Sequence, residues 1–462
     1  MSSTAEKFSA ESAAQAFNLP KRDVLQENLQ TQENAIGLGT YQLANLATAK
    51  RKAHVIKWRA IENLDKLLPE FEANFQRRGG KVIWANDAEE ARQEILNIIQ
   101  RVDAKTVIQS RNIVTSEIDL KPALQNEQVE LLSANIGEFI VDLLGQKPTH
   151  LVKPGMHLSA ETIAQLFHER FGLPAQATPE QITKKARELL RNKFIQADVG
   201  ITGADFLITD TGSIALSENE GDARLTTSFP KIHIAIAGIE KLVPSLTDLD
   251  LFWPMLATHS TGQGLMRYNT IISGPRRATE TDGPDEMYII LLDNGRTNLL
   301  AQKEQRQGLY CIQCGACLNV CPVYQTIGGA VYNTTYNGPI GSVITPHTQG
   351  MDEFKHLSYA STLCGACTEV CPVKIDLHKM LLLNRRDAVK ENLVPKKEVW
   401  GWTAWKRVMQ SRKLTDFLGT GIKNFFLKTF FKDSWGQRRE LPQVAEKSFA
   451  QRWAEQKSQP ED

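Results

Sequence analysis

Cysteine is absent from most of this chain. Residues 1–310 and 372–462 contain none, and all seven cysteines lie between Cys311 and Cys371. The first 17 residues show no basic segment followed by an apolar one, so they do not resemble a secretory signal. An odd number of cysteines without such a signal argues against a disulfide framework. The sequence therefore predicts reduced thiols and a cytoplasmic protein.

Several other features are also missing. No apolar run approaches the roughly 18 residues of a membrane span. The formal net charge is +1, which gives no electrostatic case for binding nucleic acid. No G-x-G-x-x-G follows a strand, and neither a P-loop nor a flavin fingerprint is present. We therefore expect that this chain has no hydride acceptor of its own. Its length of 462 residues predicts about three domains.

The cysteines form two blocks, CIQCGACLNVCP from Cys311 and LCGACTEVCP from Leu363. The first block is C-x2-C-x2-C-x3-C-P, the run that holds 4Fe–4S clusters in two-cluster ferredoxins. In such pairs the fourth cysteine of each block ligates the cluster of the other. This rule predicts cluster 1 on Cys311, Cys314, Cys317 and Cys371, and cluster 2 on Cys321, Cys364 and Cys367.

Cluster 2 lacks one cysteine, because Ser361 stands where the register requires it. Either it is a 3Fe–4S centre, or it is a 4Fe–4S centre with a ligand other than cysteine. Ser361 is first in register, and His347, Asp352 and His356 are also near in sequence. We favour the four-iron form, hence two 4Fe–4S clusters.

Zinc is the alternative cofactor, since paired C-x2-C motifs also bind it tetrahedrally. Inert buried thiols are a second alternative. The tripled cysteine spacing, the Pro after each block and the small pairs Gly315-Ala316 and Gly365-Ala366 favour iron–sulfur clusters, because small residues let backbone amides approach sulfur.

The region before the cysteines has the pattern of an α/β domain. Apolar residues from Ile61 to Phe75 recur at helical spacing, and a buried strand 81–85 follows. Asp87 and Glu90 predict a capping box for a helix through about Val102. The next strand is 106–109, and the alternation of strands and helices to about Leu144 predicts a largely parallel sheet.

The later part of this region contains a further helix, which Thr178, Pro179 and Gln181 cap. Residues 197–221 are glycine-rich short strands, and a strand at 232–237 follows.

The segments SRNIVTSEI (110–118), PTHLVKPGMH (148–157), ADVGITGADFLITDTGSIALSENEGDARL (197–225) and IAGIEKLVP (236–244), followed by the cysteine blocks, resemble the lactate utilization protein B family. The resemblance covers nearly the whole chain from about residue 50. It implies an α/β domain of the NagB/RpiA/CoA-transferase type, an α-helical two-cluster ferredoxin-like domain and a helical C-terminal extension. It also implies electron transfer in the oxidation of L-lactate to pyruvate with operon partners, and three cysteines for the second cluster as a family trait.

We divide the chain into a mobile, partly helical arm (1–55), the α/β domain (56–300), the ferredoxin-like domain (301–392) and a C-terminal extension (393–462). In the arm, the triplet Lys50-Arg51-Lys52 has the pattern of a solvated helix face.

The glycine-rich segment can bind an anion through backbone amides. Acid–base candidates beside it are His150, His157, Asp205, Asp210, Glu218 and Glu220. The competing interpretation is that the glycines form turns, the histidines are structural, and the acids cap helices or face solvent.

The C-terminal extension is basic and aromatic. Residues 379–439 contain fifteen Lys or Arg against five Asp or Glu. The aromatic residues are Trp400, Trp402, Trp405, Phe425, Phe426, Phe430, Phe431 and Trp435. Such a segment fits peripheral contact with an anionic membrane, a partner surface or a tail packed on the domains.

The cysteine blocks predict an electron-transfer protein. The family resemblance implies that it is a subunit of a lactate-oxidation complex, working with other lactate-utilisation subunits and a redox protein or quinone-linked system, and not with nucleic acid. Two alternatives stay open: a catalytic oxidoreductase whose α/β domain binds the hydroxy acid, and a redox-sensing binding module.

Overall fold

The computed structural model describes residues 3–417, 419–430 and 440–457. Two compact units, 1–387 and 388–462, can be distinguished by their internal contacts. The described strands are β1 Lys81–Ala85, β2 Thr106–Gln109, β3 Glu130–Ser133, β4 Val199–Thr202, β5 Phe206–Ile208, β6 Ser213–Glu218, β7 Ile232–Gly238, β8 Leu242–Val243, β9 Tyr268–Ile272 and β10 Glu286–Leu292.

The first unit is built on a six-stranded sheet with the order β1-β10-β7-β4-β2-β3. Every pair in it is parallel, which confirms the predicted fold class. Its central strands β7 and β10 are buried along nearly their whole length, as expected for a parallel sheet covered on both faces. A second sheet, β8-β5-β6-β9, mixes parallel and antiparallel pairs and was not predicted.

Helices surround both sheets. They are α1 Thr4–Ala16, α2 Leu19–Thr40, α3 Leu46–Glu62, α4 Leu64–Arg77, α5 Ala88–Arg101, α6 Ile113–Glu117, α7 Leu120–Asn126, α8 Ile136–Leu143, α9 Ala160–Phe171, α10 Pro179–Gln196, α11 Asp222–Ser228, α12 Leu249–Thr261 and α13 Arg296–Ala301. Short 3-10 helices span Ile239–Lys241 and Leu246–Asp248.

Local sequence signals located most of these elements. Thr178 forms the predicted capping box with Gln181 at the start of α10. Asp87 caps α5, but the carboxylate of Glu90 accepts a hydrogen bond from the Asn86 backbone N–H at 2.7 Å instead of completing the box. The predicted N-cap is therefore confirmed, but the predicted capping box is not closed.

Two expectations about this region were wrong. The strand 81–85 is not buried: Lys81 and Trp84 are exposed, because β1 is an edge strand that pairs only with β10. The helical run does not begin at Ile61, which lies in the last turn of the preceding helix α3; α4 begins at Leu64 after the break at Asn63.

The glycine-rich segment forms the short strands β4, β5 and β6, as predicted. Gly212 lies in the turn between β5 and β6 with φ +58°. A Cβ there would collide with the backbone of Asn74 and Phe75 in α4. This glycine is therefore needed both for its backbone conformation and for the close approach of α4.

The N-terminal arm is packed rather than mobile. Leu25 and Leu29 of α2 are buried, and the Asn28 amide donates to the carbonyl oxygen of Met156 at 2.9 Å. The predicted boundary at residue 55 falls inside α3, which runs through Glu62. Helices α2 and α3 thus belong to the same compact unit as the sheet.

The cysteine blocks lie in a region of short helices in the same unit. These are α14 Ala316–Asn319, α15 Pro322–Ile327, α16 Gly338–Thr348, α17 Met351–Phe354, α18 Ala366–Val370 and α19 Leu377–Lys390, with 3-10 helices at Arg306–Tyr310, Ala330–Tyr332 and Lys355–Tyr359.

The second unit contains α20 Lys396–Met409, α21 Arg412–Phe417, α22 Thr420–Phe430 and α23 Phe449–Lys457. No residue of α20 or α23 is buried. Phe431 and Trp435, named in the basic aromatic segment, lie outside the described residues. In the part of the chain that the structure describes, no helix has both the length and the apolar character needed to cross a membrane.

Candidate iron–sulfur site and adjoining cavity

The two cysteine blocks have the same backbone shape. The residue before the second cysteine position is left-handed in both, at Gln313 (φ 58°) and Leu363 (φ 56°). The glycine after that cysteine is left-handed as well, at Gly315 (φ 77°) and Gly365 (φ 86°), and each glycine begins a short helix. The loops therefore turn their backbone N–H groups toward the side chains of the block.

Backbone amides reach the sulfur atoms. The Gln313 N–H donates to Cys311 Sγ at 3.3 Å, and the Ile375 N–H donates to Cys371 Sγ at 3.3 Å. Such hydrogen bonds stabilise negative charge on sulfur and help to set cluster potentials. Four of the seven thiols are buried and Cys364 is exposed, so one edge of the site reaches the surface.

The thiols fall into two groups by their effects on one another. Burial raises the pKa of Cys314, and the neighbouring Cys311 and Cys371 raise it further. Burial raises the pKa of Cys367 to about 12, with added contributions from Cys321 and Cys364. These raised pKa values show the cost of gathering thiolates in a buried place without a positive partner. Bound iron supplies that positive charge, so the donor set fits the group.

Cys317 lies where the two groups meet. Burial raises its pKa, and the thiols of Cys311, Cys314, Cys371 and also Cys367 add to the effect. Within the described residues, no three Cys, His, Asp or Glu side chains converge to hold a single metal ion. A 4Fe–4S cluster distributes its four thiolates over four iron atoms.

Three lysines surround the first group, and the sequence did not reveal their roles. Lys50 Nζ donates to the carbonyl oxygens of Glu369 and Val370 at 2.9 and 3.2 Å. Lys57 is fully buried and donates to the carbonyl oxygen of Glu240 at 2.6 Å; burial lowers its pKa to about 7. Lys241 is also buried. The expectation that Lys50 belongs to a solvated helix face was wrong, because it anchors the second cysteine block.

A cavity of about 1430 Å³ adjoins the site. It opens beyond the carboxyl ends of β2, β3 and β4, where ligands bind in open α/β sheets. Its walls include the segment 109–117 after β2, the loop 145–154 and, from the cysteine region, Gln313 and residues 327–331. The α/β domain and the cysteine region therefore share one cavity.

His150 connects the cavity wall to the first cysteine block. Its Nδ1 accepts from the backbone N–H groups of Val152 and Lys153 at 3.1 and 3.2 Å, so its Nε2 carries the proton and donates to Asn319 Oδ1 at 3.0 Å. Its ring lies against Gly315, where a Cβ would approach it to 3.0 Å. Burial lowers the pKa of His150 to about 4, so the imidazole that lies between the cavity and Gly315 is neutral.

Five of the six acid–base candidates line the cavity, namely His150, His157, Asp205, Glu218 and Glu220. Asp210 does not. The acids mainly accept backbone hydrogen bonds: Glu218 from Ala223 and Arg224 at 2.7 and 2.8 Å, Glu220 from Ile136 at 2.9 Å, and Asp205 from Ser217 at 2.7 Å. Their geometry matches the structural interpretation, in which these acids cap local elements.

Other cavity residues carry unsatisfied polar atoms. Ser110 Oγ, Asn112 Nδ2, Ser217 Oγ and Glu138 Oε2 are buried without a hydrogen-bond partner, and all four residues line the cavity. Burial raises the pKa of Glu138 to about 8. None of the four was among the predicted site residues: Ser110 directly follows the predicted strand 106–109, but Ser217 lies within β6 and Glu138 within α8.

The candidates for the missing ligand are not equally placed. Ser361 lines a small pocket together with Cys321, Cys364 and Cys367. His347 is hydrogen bonded to Asn384 at 2.9 Å, and His356 lies against the rings of Phe8 and Phe354. Neither histidine lines that pocket, and neither does Asp352. Only Ser361 of the four is brought to the second group of cysteines.

Two protein families match successive parts of the chain. The LUD domain family matches residues 68–292, and the 4Fe-4S dicluster domain family matches residues 307–375. Lactate utilization protein B of Shouchella clausii is 37% identical over 436 residues, covering 92% of this chain and 91% of that protein. The chain belongs to the lactate utilization protein B family.

The chain is also similar to other proteins. Lactate utilization protein B of Bacillus subtilis is 40% identical and covers 80% of this chain and 77% of its own length. The uncharacterized electron transport protein YkgF of Escherichia coli is 39% identical, with coverage of 75% and 73%. A solved structure of a DUF162 family protein from Deinococcus radiodurans is 16% identical, with a TM-score of 0.27, and covers 50% of this chain and 98% of its own.

Proposed function

We propose that this chain is a cytoplasmic iron–sulfur electron-transfer subunit for the oxidation of L-lactate to pyruvate. It works with other lactate-utilisation subunits and a redox protein or quinone-linked acceptor. The observation that carries this proposal is the shared wall between the cavity and the first cysteine block, formed by His150 and Gln313. A redox centre beside a ligand-sized cavity can exchange electrons with what binds there.

The proposed ligands of cluster 1 are Cys311, Cys314, Cys317 and Cys371, and those of cluster 2 are Cys321, Cys364 and Cys367. The mutual effects of the thiols on their pKa values support this crossed assignment. Both clusters are proposed to be of the 4Fe–4S type. When bound, they supply one-electron carriers, whereas a hydroxy acid releases two electrons.

The positions of the two cysteine groups support a direction for electron transfer through the chain. Cluster 1 lies beside the cavity and the buried lysines, whereas cluster 2 includes the exposed Cys364. Cys367 raises the pKa of Cys317, which indicates that the two groups of cysteines are close together. We therefore place electron entry at the cavity side and electron exit at the surface around Cys364.

Cysteine variants test the crossed assignment. Cys314→Ala and Cys371→Ala should remove the same EPR signal from anaerobically purified, dithionite-reduced protein, and Cys364→Ala and Cys321→Ala should remove the other. Cys371 is the informative position, since an uncrossed arrangement assigns Cys371 and Cys364 to the same cluster. Loss of the Cys364-dependent signal in Cys371→Ala would refute the crossing.

Reduction by substrate tests the electron-transfer role. The purified chain should not be reduced by L-lactate alone, because it has no recognised hydride acceptor. Addition of the other lactate-utilisation subunits should bring about lactate-dependent reduction. Rapid reduction by lactate without partners would contradict the proposal and favour a catalytic role for the α/β domain.

One observation favours a second candidate function, binding of the hydroxy acid by the α/β domain itself. Four cavity residues carry buried polar atoms that lack a partner, and such atoms are usually satisfied by water or a ligand. Arg111 also lines the cavity and can pair with a carboxylate.

Thermal stabilisation by lactate and pyruvate tests this second function. Ser110→Ala should weaken any stabilisation, since it removes an unpartnered hydroxyl from the wall. Thr209→Val is the matched control, because Thr209 Oγ1 is also buried and unpartnered but does not line the cavity. Absence of stabilisation in the parent protein by either acid would eliminate this function.

A further inference from the structure

We propose that Ser361 Oγ is the fourth protein ligand of cluster 2, which makes this cluster a four-iron centre held by three thiolates and one serine oxygen. This inference rests on the proposed assignment of Cys321, Cys364 and Cys367 to that cluster. It deepens the assignment by naming a ligand that no cysteine supplies.

The loops around the two blocks are similar in their local backbone. A 3-10 helix, Arg306–Tyr310, directly precedes Cys311, and another, Lys355–Tyr359, is separated from Ser361 by the single residue Ala360. Left-handed residues flank the second cysteine position in both blocks, and a short helix follows in each. The backbone from the residue before the second cysteine position onward therefore has the same shape in both blocks, and Ser361 lies three residues before Cys364 as Cys311 lies three residues before Cys314.

The side chains also correspond. Cys311 Sγ accepts a hydrogen bond from the N–H two residues later, that of Gln313, at 3.3 Å. Ser361 Oγ accepts the equivalent bond from the N–H of Leu363 at 3.1 Å. The serine oxygen thus accepts the same local hydrogen bond as the ligand sulfur of the first block, and the equivalent backbone amide stabilises negative charge on it.

Ser361 is held in place beside the three remaining thiols. It lines one pocket with Cys321, Cys364 and Cys367. Arg385 of α19 donates from Nε to the carbonyl oxygen of Ser358 at 3.0 Å and from Nη2 to that of Ser361 at 3.4 Å. Its guanidinium lies 4.9 Å from the centre of the Tyr359 ring. These contacts orient the turn independently of any bound iron.

The ligation step balances simply. Ligands bind metal in their deprotonated form, and binding releases the proton. The Ser361 O–H bond breaks, its proton goes to solvent, an iron–oxygen bond forms, and no iron changes oxidation state. Oxygen is a harder donor than thiolate, so it favours the more oxidised cluster and lowers its reduction potential.

His378 is the competing ligand, because it lines the same pocket. Its Nδ1 lies 2.8 Å from Thr368 Oγ1 and 3.2 Å from Asp376 Oδ1. These partners explain its orientation without a cluster. His378→Gln is therefore the matched control for the Ser361 variants.

The test compares iron and sulfide content, Mössbauer spectra and EPR redox titrations of anaerobically purified parent, Ser361→Cys, Ser361→Ala and His378→Gln proteins. The parent should contain about eight irons. Ser361→Cys should keep that content and raise the midpoint potential of one cluster only. Ser361→Ala should lose about one iron and show a three-iron signal in the oxidised state, whereas His378→Gln should resemble the parent.

Three results would overturn the inference: a native three-iron centre in the parent, parent-like content and potentials in both serine variants, or iron loss in His378→Gln instead. The cysteine variants distinguish this failure from failure of the underlying assignment. If Cys364→Ala removes one cluster while Ser361→Ala changes nothing, the assignment stands and only the serine ligand falls.

Discussion

Arg296 and Glu117 form a two-pronged salt bridge inside the protein. Nη1 and Nη2 of Arg296 donate to Oε1 and Oε2 of Glu117 at 2.8 and 2.9 Å, and the two side chains are only 5% and 3% exposed. Glu240 accepts from Arg296 Nε at 2.5 Å, and the Tyr336 hydroxyl donates to Glu117 at 2.7 Å. This network joins the strand ends of the α/β domain to the cysteine region.

Removal of Glu117 should destabilise the chain strongly. Glu117→Ala leaves the buried guanidinium with one carboxylate, and breaking a buried pair costs about 3–5 kcal/mol. Tyr336→Phe is the milder control, since it removes one hydrogen bond worth about 1–2 kcal/mol. Denaturant unfolding of the cluster-loaded protein measures both. Equal stability of Glu117→Ala and the parent would show that the network contributes little.

The same pair predicts sensitivity to acid. Burial opposes ionisation of Glu117, but the charge and hydrogen bonds of Arg296 hold its pKa below the usual 4.5. A depressed pKa contributes stability above 4.5 that is lost as pH falls through the folded value. Glu117→Gln should therefore show a smaller loss of stability than the parent as pH decreases below about 4.5.

Glu138 predicts the opposite dependence on pH. Burial raises its pKa to about 8 from a usual value of 4.5, so between these values the folded state holds a proton that the unfolded state releases. Stability from this group is full below 4.5 and is lost as pH rises toward 8. Glu138→Gln should gain stability relative to the parent, by a few kcal/mol, as pH rises from about 5 to 9. A pH-independent difference would refute the raised pKa.

Lys50 should raise the reduction potential of cluster 1. It hydrogen bonds to the backbone beside Cys371, and the thiols of Cys371 and Cys314 interact with its charge. Lys50→Gln removes a positive charge and should lower the midpoint of one cluster by on the order of 50 mV. Lys52→Gln is the control, since Lys52 is exposed on the same helix. Equal midpoints in the two variants would argue against this electrostatic effect.

The aromatic residues of α20 are proposed to bind the other lactate-utilisation subunits. Trp400, Trp402 and Trp405 are 75%, 61% and 54% exposed, and exposed Trp residues beside basic ones are typical interface anchors. Trp402→Ala should weaken association by about 2 kcal/mol in binding assays with those subunits and leave iron content unchanged. Phe449→Ala on α23 is the control. If Trp402→Ala instead removes salt-sensitive binding to anionic vesicles and leaves subunit binding intact, the surface is membrane-directed.

The sequence itself determined the features that depend on local order. The capping box at Thr178, the strand at 106–109 and the register that aligns Ser361 with Cys311 each follow from residue types at fixed spacing. The same local rules failed at the strand 81–85, because its apolar residues were consistent with burial while its place at the sheet edge depended on other strands.

Tertiary structure decided the rest. β1 pairs with β10, about 200 residues away in the chain, and no local pattern specifies such a partner. Lysine side chains are expected at the surface because they are charged, yet Lys57 and Lys241 are buried. The cavity residues Ser110, Glu138 and Ser217 come from the loop after β2, from α8 and from β6, and they line one cavity only when these distant elements pack together. The periodicity of the sequence shows which side of a helix or strand is apolar. The packing of elements that are distant in the chain determines which residues contact that side and whether a nearby charged side chain is buried or exposed.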